Sequence, residues 1–474
     1  MLARPWRDAA DAGSVAMSMS KAELESKHLA ELHELAADAG VPRYRLLRYD
    51  ELIEELLVRS AAPREDGEEE KEARPERAPR RRRRRRTREP EGEGASQATA
   101  ERPREAAGPE RGGEEDREEE VAAAEEETEP VSGVLDVQPQ GHGFVRLGGL
   151  EPAEGDVYVS ASQIRRCELR AGDEVSGPAR RPRRGERHPA LIRVDAVNGA
   201  DPADQRSGTF EALTPIAPRR RLVLEPAPGD VLVRAAELLA PPAYGQRVLI
   251  RAAPRSGRTT LLRGLVRAIA AAPGDQHLVV LLVDERPEEV TEWRRQAPGV
   301  EIAAAPADLA APEQVRHAEL ALARAKRRAE AGEDVVFVID SLTRLAVASG
   351  DPAAVKPFFG AGRELEEEGA GSLTVIATVL AGTPDGDEVI EAVETTENAT
   401  IALDHSLAAA GVVPAIDISR SSVAGESGLL EGSELAAIRR LSAELRVLDP
   451  TEAAGLLRER IEASASNPEL LQSL

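Results

Sequence analysis

The chain has 474 residues, enough for more than one core, and a formal net charge of −23. Taken as an average, that charge argues against a nucleic-acid partner, because phosphates attract Lys and Arg; residues 131–200 escape the average, with ten Arg against nine Asp and Glu. The single cysteine, Cys167, excludes an internal disulfide and a cysteine metal cluster, and no run of about 18 apolar residues suggests a membrane span. Residues 1–19 carry Arg4, Arg7, Asp8 and Asp11 and lack the apolar stretch of a secretory signal. The expected location is therefore the cytoplasm, with no membrane partner.

Residues 20–60 predict a small helical module. Leu29, Leu32, His33, Leu35 and Ala36 share one helical face, as do Leu52, Ile53, Leu56 and Leu57, and Gly40-Val41-Pro42 separates the two. Residues 61–130 predict a disordered linker: with 16 Arg and Lys, 23 Asp and Glu and Val121 as the only branched aliphatic residue, they cannot bury enough apolar surface to offset ordering. Within it, Arg80 to Arg86 form an unbroken arginine run, either a solvated spacer or a non-specific phosphate clamp.

Residues 131–200 predict an OB-type β-barrel. Short strands are expected at Ser132–Val137, Gly143–Arg146, Val157–Val159, Glu174–Ser176 and Ala190–Val197. Residues 201–244 read as a connector. Residues 245–474 predict a RecA-type α/β domain: Arg247–Arg251, Leu278–Asp284, Val335–Asp340 and Leu373–Leu380 are nearly continuous apolar runs, as in a parallel sheet buried on both faces. Helices are expected between them at Thr259–Ala272 and Glu313–Glu330.

The first of these strands runs into Ala252-Ala253-Pro254-Arg255-Ser256-Gly257-Arg258-Thr259-Thr260 and then a helix. Strand, tight loop and helix are the phosphate-loop context, in which backbone N–H groups and the helix N-terminus attract phosphate. Thr259 is placed to ligate Mg²⁺ through its hydroxyl. The usual lysine is replaced by Arg258, a planar fork of greater bulk. The next strand ends in Asp284-Glu285, where a carboxylate facing phosphates can activate the attacking water. A third ends at Asp340, the Walker B pattern for a Mg²⁺ partner. Either acid alone could be a helix cap.

These residues resemble the bacterial transcription termination factor Rho family, whose members are hexameric, RNA-dependent ATPases that translocate on RNA. The resemblance runs from Ser132 to about Leu448. It is carried by Val280-Leu281-Leu282-Val283-Asp284-Glu285-Arg286-Pro287-Glu288-Glu289-Val290, by Gly141-His142-Gly143-Phe144-Val145-Arg146 and by Asp156-Val157-Tyr158-Val159, with a looser match in 20–60. Met17 and Met19 lie ahead of the first family-like residues and are candidate starts. The resemblance implies ATP and Mg²⁺ as cofactors, and single-stranded RNA, a homo-oligomeric ring and the RNA polymerase elongation complex as partners. It assigns RNA binding to Gly141, His142, Gly143, Phe144, Val145, Arg146, Asp156, Val157, Tyr158, Glu186, Arg187 and His188. Phe144 and Tyr158 can stack on unpaired bases and Arg146 can meet phosphate. Nucleotide binding falls to Gly245, Gln246, Arg247, Arg255, Ser256, Gly257, Arg258, Thr259, Thr260, Arg286 and Asp340. Glu285 is implied as the catalytic carboxylate and Arg420 as a finger reaching a neighbouring subunit's nucleotide.

The sequence departs from the family mainly where the ring's pore would be. Leu345-Ala346-Val347-Ala348-Ser349-Gly350-Asp351-Pro352 runs almost directly into Lys356-Pro357-Phe358-Phe359, without the family's Gly-rich RNA loop. A second pore loop, Thr383-Pro384-Asp385-Gly386-Asp387-Glu388, is acidic and would repel RNA. Two readings stay open at this level: a terminator that couples ATP hydrolysis to translocation, and a paralogue that binds RNA, with or without nucleotide, and does not move.

Overall fold

The computed structural model describes residues 53, 128–204, 208–224, 229–430 and 432–474. Apart from Ile53, the expected helical module and the Arg80 to Arg86 run lie outside them.

The barrel is built from β1 (Thr128–Val137), β2 (Gly143–Arg146), β3 (Val157–Val159), β4 (Glu174–Arg180), β5 (Ala190–Leu191) and β6 (Ala196–Val197), with helix α1 (Ala161–Arg166) after β3. β1 pairs with β2 and β4, β2 with β3, β3 with β5 and β5 with β4, so five strands close on themselves and β6 extends β4. Strand alternation sends Leu135, Val145, Val157, Val159 and Val175 inward. The same alternation turns Phe144 and Tyr158 outward, opposite each other in the β2–β3 ladder. Thr128, Glu129 and Pro130, expected in the linker, belong to β1, where they pair with Arg180, Ala179 and Pro178 of β4. The expected strand at 190–197 is two short ones. Helix α1 carries a capping box between Ser160 and Gln163. The Gln163 amide donates to the carbonyls of Leu191 at 2.8 Å and Ile192 at 3.1 Å and so anchors the helix beneath the barrel.

The second domain contains β7 (Pro215–Ile216), α2 (Val231–Leu239), β8 (Arg247–Ala252), α3 (Arg258–Ala271), β9 (His277–Val283), α4 (Pro287–Gln296), β10 (Glu301–Ala305), α5 (Ala311–Glu330), β11 (Asp334–Asp340), α6 (Leu342–Ser349), α7 (Lys356–Phe359), β12 (Arg363–Leu365), β13 (Ser372–Val379), α8 (Pro384–Val393), β14 (Ala399–Leu403), α9 (His405–Ala409) and β15 (Ser422–Val423). Four helices follow: α10 (Glu426–Leu429), α11 (Gly432–Arg446), α12 (Pro450–Glu462) and α13 (Asn467–Gln472). The strand order is β10-β9-β11-β13-β8-β14-β15, parallel from β10 to β14. Central β13 is buried along its whole length, which is why its sequence shows no alternation. The alanines of β10 hide it from propensity, which favours branched and aromatic residues in strands.

The stretch expected as a connector contributes to this core. Val233, Ala235 and Leu238 of α2 are fully buried, and Arg234, 3% exposed, donates to the carbonyls of Ile461 at 2.7 Å and Ser464 at 2.8 Å.

Barrel and sheet domain lie in one compact unit. Gly172, at φ +85°, approaches α5 so closely that a Cβ would lie 2.5 Å from the Ala323 carbonyl carbon. Buried Arg324 of α5 reaches Glu174 at 2.5 Å, and Arg170 reaches Glu330 at 2.7 Å. The chain leaving the barrel is pinned where Phe210, fully buried, donates its N–H to Glu330 at 2.6 Å.

Candidate nucleotide and nucleic-acid sites

Four rings gather on the barrel. His142 lies 5.7 Å from Phe144 and 5.5 Å from Tyr158 between ring centroids, and Phe144 lies 6.0 Å from Tyr158 and 5.0 Å from His188. Tyr158 is 37% exposed and Phe144 and His142 are half-buried, so the patch offers ring faces to solvent. Arg146, expected to meet phosphate, is instead 7% exposed and bridges two carboxylates: Asp156 at 2.5 Å and Asp136. Its guanidinium carbon sits 5.5 Å from the Phe144 ring centre. The triad therefore supports the ring from beneath. Gly143, Val145 and Val157 are buried and support the patch through the strand backbone. Glu186 accepts from Arg180 at 2.6 Å and from the Arg183 N–H, which hold its carboxyl down at about 2. Arg187 beside it is exposed, as are Arg181, Arg183 and Arg184, so basic side chains rim the patch.

The second site forms where the strands of the sheet end. Gly257, at φ +93°, caps α3, and its positive φ turns the preceding loop so that the first free N–H groups of the helix face the strand ends. Arg255 also has positive φ, and the Ser256 hydroxyl is committed to the Ala253 carbonyl at 2.7 Å. Thr259 is half-buried at the second position of α3, and Thr260 is exposed. Arg258 reaches Asp340 at 3.3 Å and Glu285 at 3.5 Å, linking both acids that the sequence singled out. β13 lies between β8 and β11, and its Thr378 donates to Asp340 Oδ1 at 2.9 Å. Asp340 Oδ2 is buried without a hydrogen-bond partner among the described residues. An unpartnered, buried carboxylate oxygen suits a hard, oxygen-liking cation. Among the described residues no group of three or more His, Cys, Asp or Glu could hold a metal, so such an ion would need ligands from phosphate and water.

Burial, and then the like charge of Asp340, raise the Glu285 carboxyl above its usual value, while Arg344 and Arg258 oppose them. Arg344 lies 2.5 Å from Glu285 and also donates to the Asp284 carbonyl at 2.9 Å. It and Thr378 escaped the sequence reading. Arg344 could have been suspected from its place one helical turn after Asp340; nothing local marks Thr378, which depends on strand order.

Other expected nucleotide residues do not converge there. Gly245, Gln246 and Arg247 lie at the opposite end of β8, on the order of 20 Å from the loop at ~3.3 Å per residue. Their bonds hold the sheet: Gly245 N–H donates to Thr374 at 2.9 Å and Arg247 to the Gly362 carbonyl at 2.6 Å. Gln246 is 1% exposed and accepts from Ala243 N–H at 2.9 Å. Arg286 is exposed beside the acids of α4, with Glu289 at 3.2 Å. Arg420 is 81% exposed and held only loosely, 3.6 Å from Asp417. The acidic segment expected as a second pore loop is largely helical: Thr383 caps α8, and Asp385 and Asp387 occupy its first turn, where negative charge is favoured.

Three family patterns match the chain: "Rho termination factor, N-terminal domain" over residues 23–62, "Rho termination factor, RNA-binding domain" over 131–203, and "ATP synthase alpha/beta family, nucleotide-binding domain" over 233–354. A transcription termination factor Rho of Aquifex aeolicus (strain VF5) is 39% identical over 73% of this chain and 84% of its own length. One from Bacillus subtilis (strain 168) is 42% identical over 64% of this chain and 76% of its own. One from Streptomyces lividans is 41% identical over 72% of this chain, which spans about half, 51%, of that relative.

Proposed function

The chain belongs to the transcription termination factor Rho family, and on that premise we propose that it binds single-stranded nascent RNA through the barrel and couples ATP hydrolysis to translocation that releases transcripts. The observation that supports this most directly is the convergence of Glu285, Asp340, Arg258 and Arg344 at the strand ends beside the start of α3. Unpaired bases stack on Phe144 and Tyr158, and the rim of arginines at 181–187 meets the backbone. ATP phosphates lie against the N-terminus of α3. Asp340 and Thr259 would hold Mg²⁺, which would neutralise phosphate oxygens. Arg258 leaves the two acids for the phosphates, and Glu285, ionised, takes the proton of the attacking water.

Arg420, exposed and loosely paired, extends to the nucleotide of a neighbouring copy in a hexameric ring. The setting is the cytoplasm, on transcripts emerging from RNA polymerase. No helix among the described residues is long and apolar enough to cross a membrane.

Phosphate release by the purified protein, with ATP and with or without poly(C), tests this reading. Stimulation by RNA well above an Asp340→Asn control is the expected result. RNA bound without stimulated release overturns the motor and leaves a binding protein.

A further inference from the structure

Two of the four rings on the barrel patch are imidazoles, His142 and His188. We propose that they make RNA binding proton-linked: their imidazolium forms meet the RNA backbone, so the patch grips RNA more tightly as pH falls. This rests on the RNA-binding reading above and adds a regulation to that site.

Histidine is the side chain whose ordinary charge change falls between about pH 5 and 8. On a stacking patch it therefore has two states, a neutral ring and a cation. His142 is half-buried and lies 5.5 Å from Tyr158 at an interplanar angle of 33°. His188 meets Phe144 edge to face at 5.0 Å, and its Nδ1 is buried without a hydrogen-bond partner among the described residues. His277 shows the contrast: its Nε2 lies 2.7 Å from the Glu301 carboxylate. Among the described residues neither patch imidazole has such a partner, so a positive charge on either is left for a phosphate.

The neighbours permit that charge. His142 faces the rings of Phe144 on β2 and Tyr158 on β3, whose π-faces attract a cation. His188 lines a cavity of about 820 Å³ between the barrel and helices α4 and α5. Arg146 of β2, Arg294 of α4 and Arg316 of α5 share that cavity, but each is already bridged to an acid: Arg146 and Arg316 to Asp136, Arg294 to Glu151. Glu154, Asp308, Glu313 and His317 line it as well, so a cation at His188 meets more carboxylates than arginines. On its own segment Glu186 is tied to Arg180, and exposed Arg187 continues the arginine rim toward the ring.

The sign follows from the ligand. RNA phosphates favour the imidazolium, so the complex holds more protons than its separate partners, and affinity falls as pH rises.

The test is fluorescence anisotropy of the full chain with a labelled oligouridylate, whose bases do not titrate between about pH 5.5 and 8. Affinity should rise about three- to tenfold toward the acid end. The slope of log affinity against log salt should steepen there by about 0.7 for each imidazolium that meets a phosphate. Replacing both rings, His142→Phe with His188→Phe, should abolish the pH dependence and the added slope. His317→Gln, in the same cavity, should retain both. A flat wild-type profile, an unchanged salt slope, wild-type pH dependence in the double variant or its loss in His317→Gln overturns the proposal. No RNA bound at any pH overturns the RNA-binding reading itself.

Discussion

The barrel and the sheet domain place their functional groups by opposite means. On the barrel, strand alternation puts the rings outside, and a buried Asp136–Arg146–Asp156 triad fixes them from within. In the sheet domain the charged groups are themselves buried: Glu285 is 8% exposed and Asp340 1%, and an arginine bridges them. The ring patch is thus ready for a base that brings its own π-face. The carboxylate site is charge-balanced without ligand, so on the proposed function the Arg258 contacts would give way to those of nucleotide and cation. On the proposed function, recognition on the barrel would be set by surface shape, and chemistry in the sheet by redistribution of buried charge.

The sharpest break between the two sites comes from Glu285→Gln. It should lower RNA-stimulated phosphate release by about 10²–10⁴-fold and leave RNA affinity, read by fluorescence anisotropy, at the wild-type value. Phe144→Ala does the reverse. Loss of one stacking face should cost about 1–3 kcal/mol of RNA binding, while ATP affinity stays unchanged. An equal loss at both sites in either variant would show that the two are not separable.

Their mechanical connection is tested by Arg324→Ala, which leaves the Gly172 turn without its buried partner. A loss of about 1–3 kcal/mol is expected, and thermal unfolding should split toward separate barrel and sheet transitions. A single, unshifted transition would place the connection elsewhere.

Arg258→Lys tests the charge-balanced site. A lysine presents one compact charge and cannot hold both acids as a fork does, so nucleotide should displace it more readily and ATP affinity should rise several-fold. A fall would mean that the fork itself grips phosphate.

The smallest effect is on pH dependence. The Glu285 carboxyl is raised, so its ionised form, the one that accepts a proton, is lost as pH falls through a value above the usual 4.5. The acid limb of hydrolysis should therefore lie above that value. Arg344→Gln, which removes an opposing positive charge, should move it higher still. The sign for stability is the reverse: with its folded value raised, Glu285 contributes stability below about pH 4.5 that is lost as pH rises through the folded value.

Much of this was determined by the sequence alone. Apolar runs ending in Glu285 and Asp340, and the Ser256-Gly257-Arg258-Thr259 loop, are local patterns whose spacing specifies strand, turn and helix. The rings at 144 and 158 could be placed on strands for the same reason. Tertiary structure decided what no local pattern encodes. Arg146 is a support because the barrel folds it between two acids, each ten residues away along the chain. Gly245, Gln246 and Arg247 serve the sheet because a strand separates them from the loop. Thr378 joins the site because the strand order brings β13 between β8 and β11, and Arg344, just after β11, meets Glu285 because β11 lies beside β9. The cavity against α4 and α5 exists only because Gly172 lets the barrel dock on the backbone of α5. Periodicity reports which face of an element is buried; which other element buries it is fixed only when the chain closes on itself.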